Sequence, residues 1–283
     1  MIDETAEEIR EMQTHSSSVV AIKATRALKE LTTREFTTVE EYVRTLERNA
    51  TVLRRANPSH ASLQNAVREV VEEVRNANPE TVEEAKGLTS AVIEDVVSHV
   101  ESGKHRAAEK AADYLTDGTT LLTHDYSSTV LEALEIATDM GKEFSVYVTE
   151  ARPRYLGRKM VRTLAAMDGI EPTLITDGAS GYYLPEIDEV VLGMSCIVED
   201  TLYNRVATYP LVAAAHQSEV QVTIVGSAAK VIAEGFVFEN EFRSPSEVTL
   251  EPPEGFTVKN PAYDATPVAL IDTVITEDGP QSA

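Results

Sequence analysis

Near Asp117-Gly118 the periodicity of the chain changes, and that change sets the fold class. Upstream, from about Thr5 to Ala112, apolar residues recur at helical spacing, as in Val39, Tyr42, Val43, Leu46, Ala50 and Leu53. Asn57-Pro58, Asn78-Pro79 and Ser102-Gly103 punctuate this half, which reads as a helical bundle. Downstream, short β-prone runs at Thr119 to Thr123, Phe144 to Thr149, Thr173 to Thr176, Glu189 to Gly193 and Val220 to Val225 alternate with amphipathic stretches. That alternation predicts right-handed βαβ crossovers and an open parallel sheet covered on both faces. The expected division is a helical domain over 1–112 and an α/β domain over 113–283. The Pro-rich stretch Ser244 to Pro267 reads as an ordered connection before a last strand near Ile271 to Thr276.

Composition narrows the function classes. With 47 acidic and 25 basic side chains, the formal net charge is −22, which disfavours DNA and anionic membranes as direct partners. Self-repulsion of that size is tolerated where salt screens it, so a halophilic surface is expected. The single cysteine, Cys196, has no partner for an internal disulfide or a structural zinc site. The acidic start MIDETAEEIREM lacks the features of a signal peptide, and the most apolar run, Tyr209 to Ala215, is too short to span a bilayer. A cytoplasmic location is expected.

Standard catalytic motifs are missing. There is no G-x-G-x-x-G after the first strand and no phosphate-loop motif, and Gly178-Ala179-Ser180-Gly181 lacks the spacing of a nucleophile elbow. The six histidines are scattered without metal-ligand spacing, so neither a metal nor a cofactor is expected. One cluster contrasts with the acidic background: Arg152, Arg154, Arg158, Lys159 and Arg162 fall within eleven residues that contain no acid. The cluster follows the strand ending at Thr149, where ligands of parallel α/β sheets sit. Arginine suits bidentate phosphate binding. The cluster reads equally as a set paired with surface acids or with a partner subunit. Ser127 and Ser128 follow the first strand, where either caps a helix or donates to a phosphate. In Leu202 to Tyr209, Asn204 and Thr208 fall one helical turn apart and could face one pocket or face water.

These segments together resemble the α/β/δ regulatory-subunit family of translation initiation factor 2B, which includes isomerases of ribose-1,5-bisphosphate and methylthioribose-1-phosphate. The family's ILTH strand is similar to Leu121-Leu122-Thr123-His124, and its ESRPRxxGR loop to Glu150-Ala151-Arg152-Pro153-Arg154-Tyr155-Leu156-Gly157-Arg158. Its NKIGT is similar to Asn204-Arg205-Val206-Ala207-Thr208, and its AESxK to Gly226-Ser227-Ala228-Ala229-Lys230. Its NPxFDxTPPxLI tail resembles the segment from Asn260 to Ile271, and its SLxNAIR resembles Ser62-Leu63-Gln64-Asn65-Ala66-Val67-Arg68. The resemblance implies an N-terminal helical domain, a Rossmann-like C-terminal domain, and a homodimer or higher homo-oligomer. It also implies a translation-factor partner and a sugar-phosphate or nucleotide ligand.

The resemblance further implies that the isomerases use a Cys after the first-loop TH and an Asp in a GAD segment. Here those positions read Asp125 and Ser195. An Arg-Gly pair that holds phosphate in the isomerases, after an IRxM helix, reads His15-Ser16 behind Ile9-Arg10-Glu11-Met12. The expectation from these changes is a non-catalytic regulatory or assembly protein that senses a phosphorylated metabolite or nucleotide. The expected ligand set is Asp125, Ser127, Ser128, Glu150, Arg152, Arg154, Ser195, Asn204, Arg205 and Lys230, with no residue assigned a catalytic role. The alternative is an aldose–ketose isomerase of a sugar phosphate, and a third reading is a purely structural oligomerisation subunit.

Overall fold

The computed structural model describes residues 2–11, 17–58, 60–232, 236–251 and 254–283. Met12, His15 and Ser16, to which the family comparison drew attention, lie outside the described residues. The chain divides into two compact units, Met1–Gly103 and Lys104–Ala283.

The first unit is built from α1 (Ile2–Glu11), α2 (Ser17–Ala27), α3 (Val39–Ala56), α4 (Ala61–Asn76) and the start of α5 (Val82–Tyr114). Each apolar stripe faces one core that contains Ile9, Leu28, Leu31, Tyr42, Leu46, Leu63 and Ile93. Thr38 caps α3 by accepting the Glu41 N–H, and the Glu41 carboxylate reaches back to the Thr37 N–H. Inside this core the Tyr42 hydroxyl donates to Thr89, which donates in turn to the Ala85 carbonyl, so the buried phenol leaves no unmet polar group in that chain.

The second unit holds β1 (Thr120–His124), α6 (Ser128–Asp139), β2 (Phe144–Thr149), α7 (Leu156–Leu164), β3 (Ile170–Ile175), α8 (Ser180–Tyr183) and β4 (Glu189–Gly193). After β4 come β5 (Cys196–Val198), β6 (Thr201–Arg205), α9 (Thr208–Gln217), β7 (Gln221–Val225), β8 (Val231–Ile232), β9 (Tyr263–Pro267), β10 (Thr273–Thr276) and β11 (Gly279–Ser282). The main sheet runs β11-β10-β7-β4-β1-β2-β3 and is parallel except for the β10–β11 hairpin. One apolar core with Ala108, Val130, Leu134 and Met160 covers one face. A second with Leu184, Leu211, Val212 and Ile271 covers the other. Sheets covered on both faces need strands that are buried throughout, which β4 supplies with five buried residues, Val190, Val191 and Leu192 at its apolar centre. Among the described residues no helix is long and apolar enough to cross a membrane.

A smaller sheet, β8-β5-β6-β9, was not anticipated from sequence. It corrects two expectations. Leu202 to Arg205 are strand, not helix, and α9 begins only at Thr208. The Pro-rich connection carries β9, which pairs antiparallel with β6 from Thr201↔Pro267 to Arg205↔Tyr263.

Candidate functional site

Along the sheet the strands after β1 run outward in one direction through β2 and β3, whereas β4 lies on the other side of β1. The reversal opens a crevice at the carboxyl ends of β1 and β4, where ligands of open α/β sheets bind. Two tight approaches shape this rim. A methyl group on Gly193 would overlap the Ser127 side chain, and one on Gly157 would overlap the Thr149 carbonyl oxygen. Glycine at these positions lets the β1 loop sit against β4 and lets α7 start against the end of β2.

Beside this rim is a small cleft, lined among others by His124, Asp125, Arg152, Arg154, Arg205 and Arg243. Asp125 follows β1 with φ of 66°, a left-handed conformation that Asp tolerates better than most residues. Its carboxylate meets the Arg205 guanidinium at 3.3 Å. Arg205 also lies over the Tyr263 ring, 4.9 Å from its centroid. Burial works against the Arg205 charge, but Tyr263, Asp125 and Glu241 outweigh it and raise its pKa above the ordinary arginine value.

The loop between β2 and α7 is clamped from one side. Asp177 accepts the backbone N–H groups of Ala151 and Arg152, each at 2.7 Å. Ala151 and Tyr155 have φ of 58° and 57°, and the Arg152-Pro153 peptide is cis. The Arg154 Nε lies 3.8 Å from Glu247, while its buried Nη1 has no hydrogen-bond partner. Glu150 is engaged elsewhere, with Arg158 at 2.7 Å.

His124 ties the first strand to the β6–α9 turn. Its Nε2 faces the Val206 carbonyl at 2.9 Å and its Nδ1 faces the Thr149 hydroxyl at 2.6 Å. A carbonyl only accepts, so the proton is assigned to Nε2 and Thr149 donates to Nδ1 in the neutral ring.

Of the ten residues expected at a ligand site, Asp125, Arg152, Arg154 and Arg205 line this cleft and the other six do not. Ser127 caps α6 by accepting the Val130 N–H, and Ser128 is the first residue of that helix. Ser195 reaches Asn204 at 3.4 Å, and Asn204 donates to Thr208 at 3.2 Å. Neighbouring residues of a strand point to opposite faces. Arg205 therefore enters the cleft while Asn204, one position earlier, is buried on the other side.

Lys230 donates to the Met194 carbonyl at 2.9 Å, and burial pulls its pKa down to about 8. The buried free thiol of Cys196 is pushed up to about 12, chiefly by burial, so it is not a thiolate near neutrality. Sequence reasoning missed His124, Asp177 and Arg243. His124 and Asp177 carried a signal, their places at or just past the carboxyl ends of strands, whereas Arg243 carried none. Among the described residues no group of three His, Cys, Asp or Glu is arranged to hold a metal ion.

Residues 13–282 match the Initiation factor 2 subunit family. The chain belongs to that family. The ribose 1,5-bisphosphate isomerase of Methanocaldococcus jannaschii is 32% identical over all of this chain and 93% of its own length. The Pyrococcus horikoshii OT3 translation initiation factor eIF-2B has the same fold, with a TM-score of 0.80 and 24% identity over 99% of this chain and 96% of its own. A tetrameric eIF2B-beta2-delta2 complex from C. thermophilum also shares the fold, with a TM-score of 0.80 and 19% identity over 99% of this chain and 90% of its own. Members of this initiation factor 2 family fold thus occur in oligomeric complexes.

The comparisons overturn the expectation of a non-catalytic regulatory or assembly protein. Five further archaeal relatives, 28% to 31% identical over at least 97% of this chain, also carry the name ribose 1,5-bisphosphate isomerase. The expectation rested on residue type at Asp125 and Ser195 and at the His15-Ser16 pair, which lies outside the described residues. A carboxylate also exchanges protons, so Asp125 retains acid–base capacity in its loop. Arg205 lies beside Asp125 and balances its charge.

Proposed function

We propose that this protein is an aldose–ketose isomerase of a phosphorylated pentose, of the ribose 1,5-bisphosphate type. The observation that carries the reading is similarity over essentially the whole chain to six archaeal proteins of that name. The chemistry of the cleft supports it. Such an isomerisation opens the sugar ring and moves a hydrogen between adjacent carbons, which needs an acid–base group held against an anionic substrate. Among the described residues lining the cleft, Asp125 supplies the one carboxylate, and Arg152, Arg154, Arg205 and Arg243 surround it with positive charge.

In this reading Arg205 orients the Asp125 carboxylate, and the remaining guanidiniums bind phosphoryl oxygens bidentately. His124 is a positioning residue that fixes Val206, and with it the end of β6, against β1. Assembly with further copies of the chain belongs to the same reading, supported by the tetrameric structure of the same fold. The deciding experiment incubates purified protein with ribose 1,5-bisphosphate across a range of KCl concentrations and follows formation of the corresponding ketose. Turnover that is lost on Asp125→Asn is the expected result; a wild-type chain inactive at every salt concentration would overturn the proposal.

A further inference from the structure

We infer that Tyr263 is a positioning residue of the cleft, which aims the Arg205 guanidinium at Asp125 and is itself held in place by Phe238 and Asn240. The inference rests on the isomerase reading for the chemistry that Asp125 performs, and on the geometry alone for the aim of Arg205.

Arg205 and Tyr263 face each other across the β6–β9 pair. The Tyr263 backbone turns away from β6: its N–H donates to Asn240 Oδ1 at 3.2 Å, and its carbonyl accepts from Asn240 Nδ2 at 2.9 Å. The two residues therefore form the non-hydrogen-bonded kind of antiparallel pair, in which facing side chains come closest. β9 is an edge strand, and the Asn240 carboxamide completes its free side as a neighbouring strand would. The Tyr263 ring packs T-shaped against Phe238, 5.3 Å between centroids, and Phe238 stacks on Tyr203 at 4.1 Å. Tyr203 precedes Arg205 by two positions and so shares its face of β6. The ring beneath the guanidinium is thus fixed by its strand, by an amide clamp and by an aromatic neighbour.

Arg205 needs such a support because more than one carboxylate draws on it. Asp125 lies 3.3 Å from its Nε. Glu241, which pairs with Arg243 at 3.2 Å, also lies within the field of Arg205. A cation over the face of a tyrosine ring is attracted by the ring quadrupole, which favours that rotamer over those that leave the ring. The Arg205 guanidinium carbon sits 4.9 Å from the Tyr263 centroid, within the range of that attraction. The rotamer so favoured is the one that meets Asp125. Without the ring, Asp125 keeps its place in the loop after β1 but loses a fixed partner.

Nitrogen-15 NMR of the guanidinium groups in the full chain, paired with steady-state kinetics on ribose 1,5-bisphosphate, tests the role. Arg205→Lys assigns the Arg205 signals, and Arg158, which pairs with Glu150, serves as an internal reference. Tyr263→Leu is expected to broaden or merge the Arg205 Nη signals and leave those of Arg158 unchanged. It is also expected to lower kcat at least about tenfold with KM within about threefold. Tyr263→Phe, which keeps the ring, is expected to retain separate Arg205 signals and a kcat within about twofold of wild type. Asn240→Ala, at an exposed position, removes the clamp without touching the ring. It is expected to move both readouts in the same direction by less, and it decides the matter if Tyr263→Leu fails to fold. Arg205 signals unaltered in the folded variant, or equal losses in the phenylalanine and leucine variants, would overturn the role. A wild type without turnover whose Arg205 signals respond as described ends the isomerase reading and leaves the positioning role standing. Turnover with Arg205 signals indifferent to these variants does the reverse.

Discussion

The Asp125 carboxylate and the Arg205 guanidinium meet at 3.3 Å, one just past the end of β1 and the other at the last position of β6 in a different sheet. Neither residue is placed by its own element alone. Replacing Asp125 with Asn preserves shape and removes the exchangeable charge. Turnover is expected to fall by at least about 100-fold, with much smaller effects on KM. Steady-state kinetics on the variant checks this.

Asp177 holds two backbone N–H groups of the arginine loop. Asp177→Ala leaves both unpaired and is expected to cost about 2 kcal/mol in urea unfolding. It should also weaken phosphate binding, because Arg152 and Arg154 lose their anchored backbone. Unchanged affinity for inorganic phosphate would refute that link.

Gly157→Ala places a methyl group on the Thr149 carbonyl, a backbone atom with no freedom to withdraw. We expect a loss of about 3 kcal/mol, or a displaced start of α7, read by thermal unfolding and by amide exchange over the loop.

Glu189 is buried on β4 and accepts from the Thr223 hydroxyl. Burial raises its pKa above the ordinary 4.5, with Asp272 adding to the shift and Thr223 opposing it. The folded state therefore binds this proton more tightly than the unfolded state. The resulting stabilisation is present below the unfolded value and is lost as pH rises through the folded one. Glu189→Gln keeps an acceptor for Thr223 without the charge. Its stability relative to wild type is expected to grow as pH rises above 4.5 and then level off, by on the order of 1 kcal/mol. A pH-independent difference would contradict this account.

A net charge of −22 repels itself more strongly at low ionic strength. Raising KCl from about 0.1 M to about 2 M is expected to raise Tm by about 5 °C or more. A salt-independent Tm would argue that the acids are already locally paired.

The main sheet was legible because its buried parallel strands leave short runs rich in β-branched residues, such as Val146, Val148 and Thr149 in β2 and Val190 and Val191 in β4. The expected limits of β2 and β4, Phe144–Thr149 and Glu189–Gly193, coincide with those observed. The small sheet was not legible, because Thr201–Arg205 is only five residues long and places polar Asn204 at a buried position where alternation would call for an apolar residue. Its partner β9 is drawn from a Pro-rich tract whose strand character comes only from pairing. The arginine loop announced itself through local charge. Arg243 did not, since its burial depends on the remote Asn260 backbone and no local pattern encodes that.

The cleft draws its lining from His124 at one extreme to Ala262 at the other. No contiguous fragment shorter than that span contains the whole lining, and contacts of such wide sequence separation form late in folding. A chain still emerging from the ribosome thus lacks part of the cleft wall until its second unit is nearly finished.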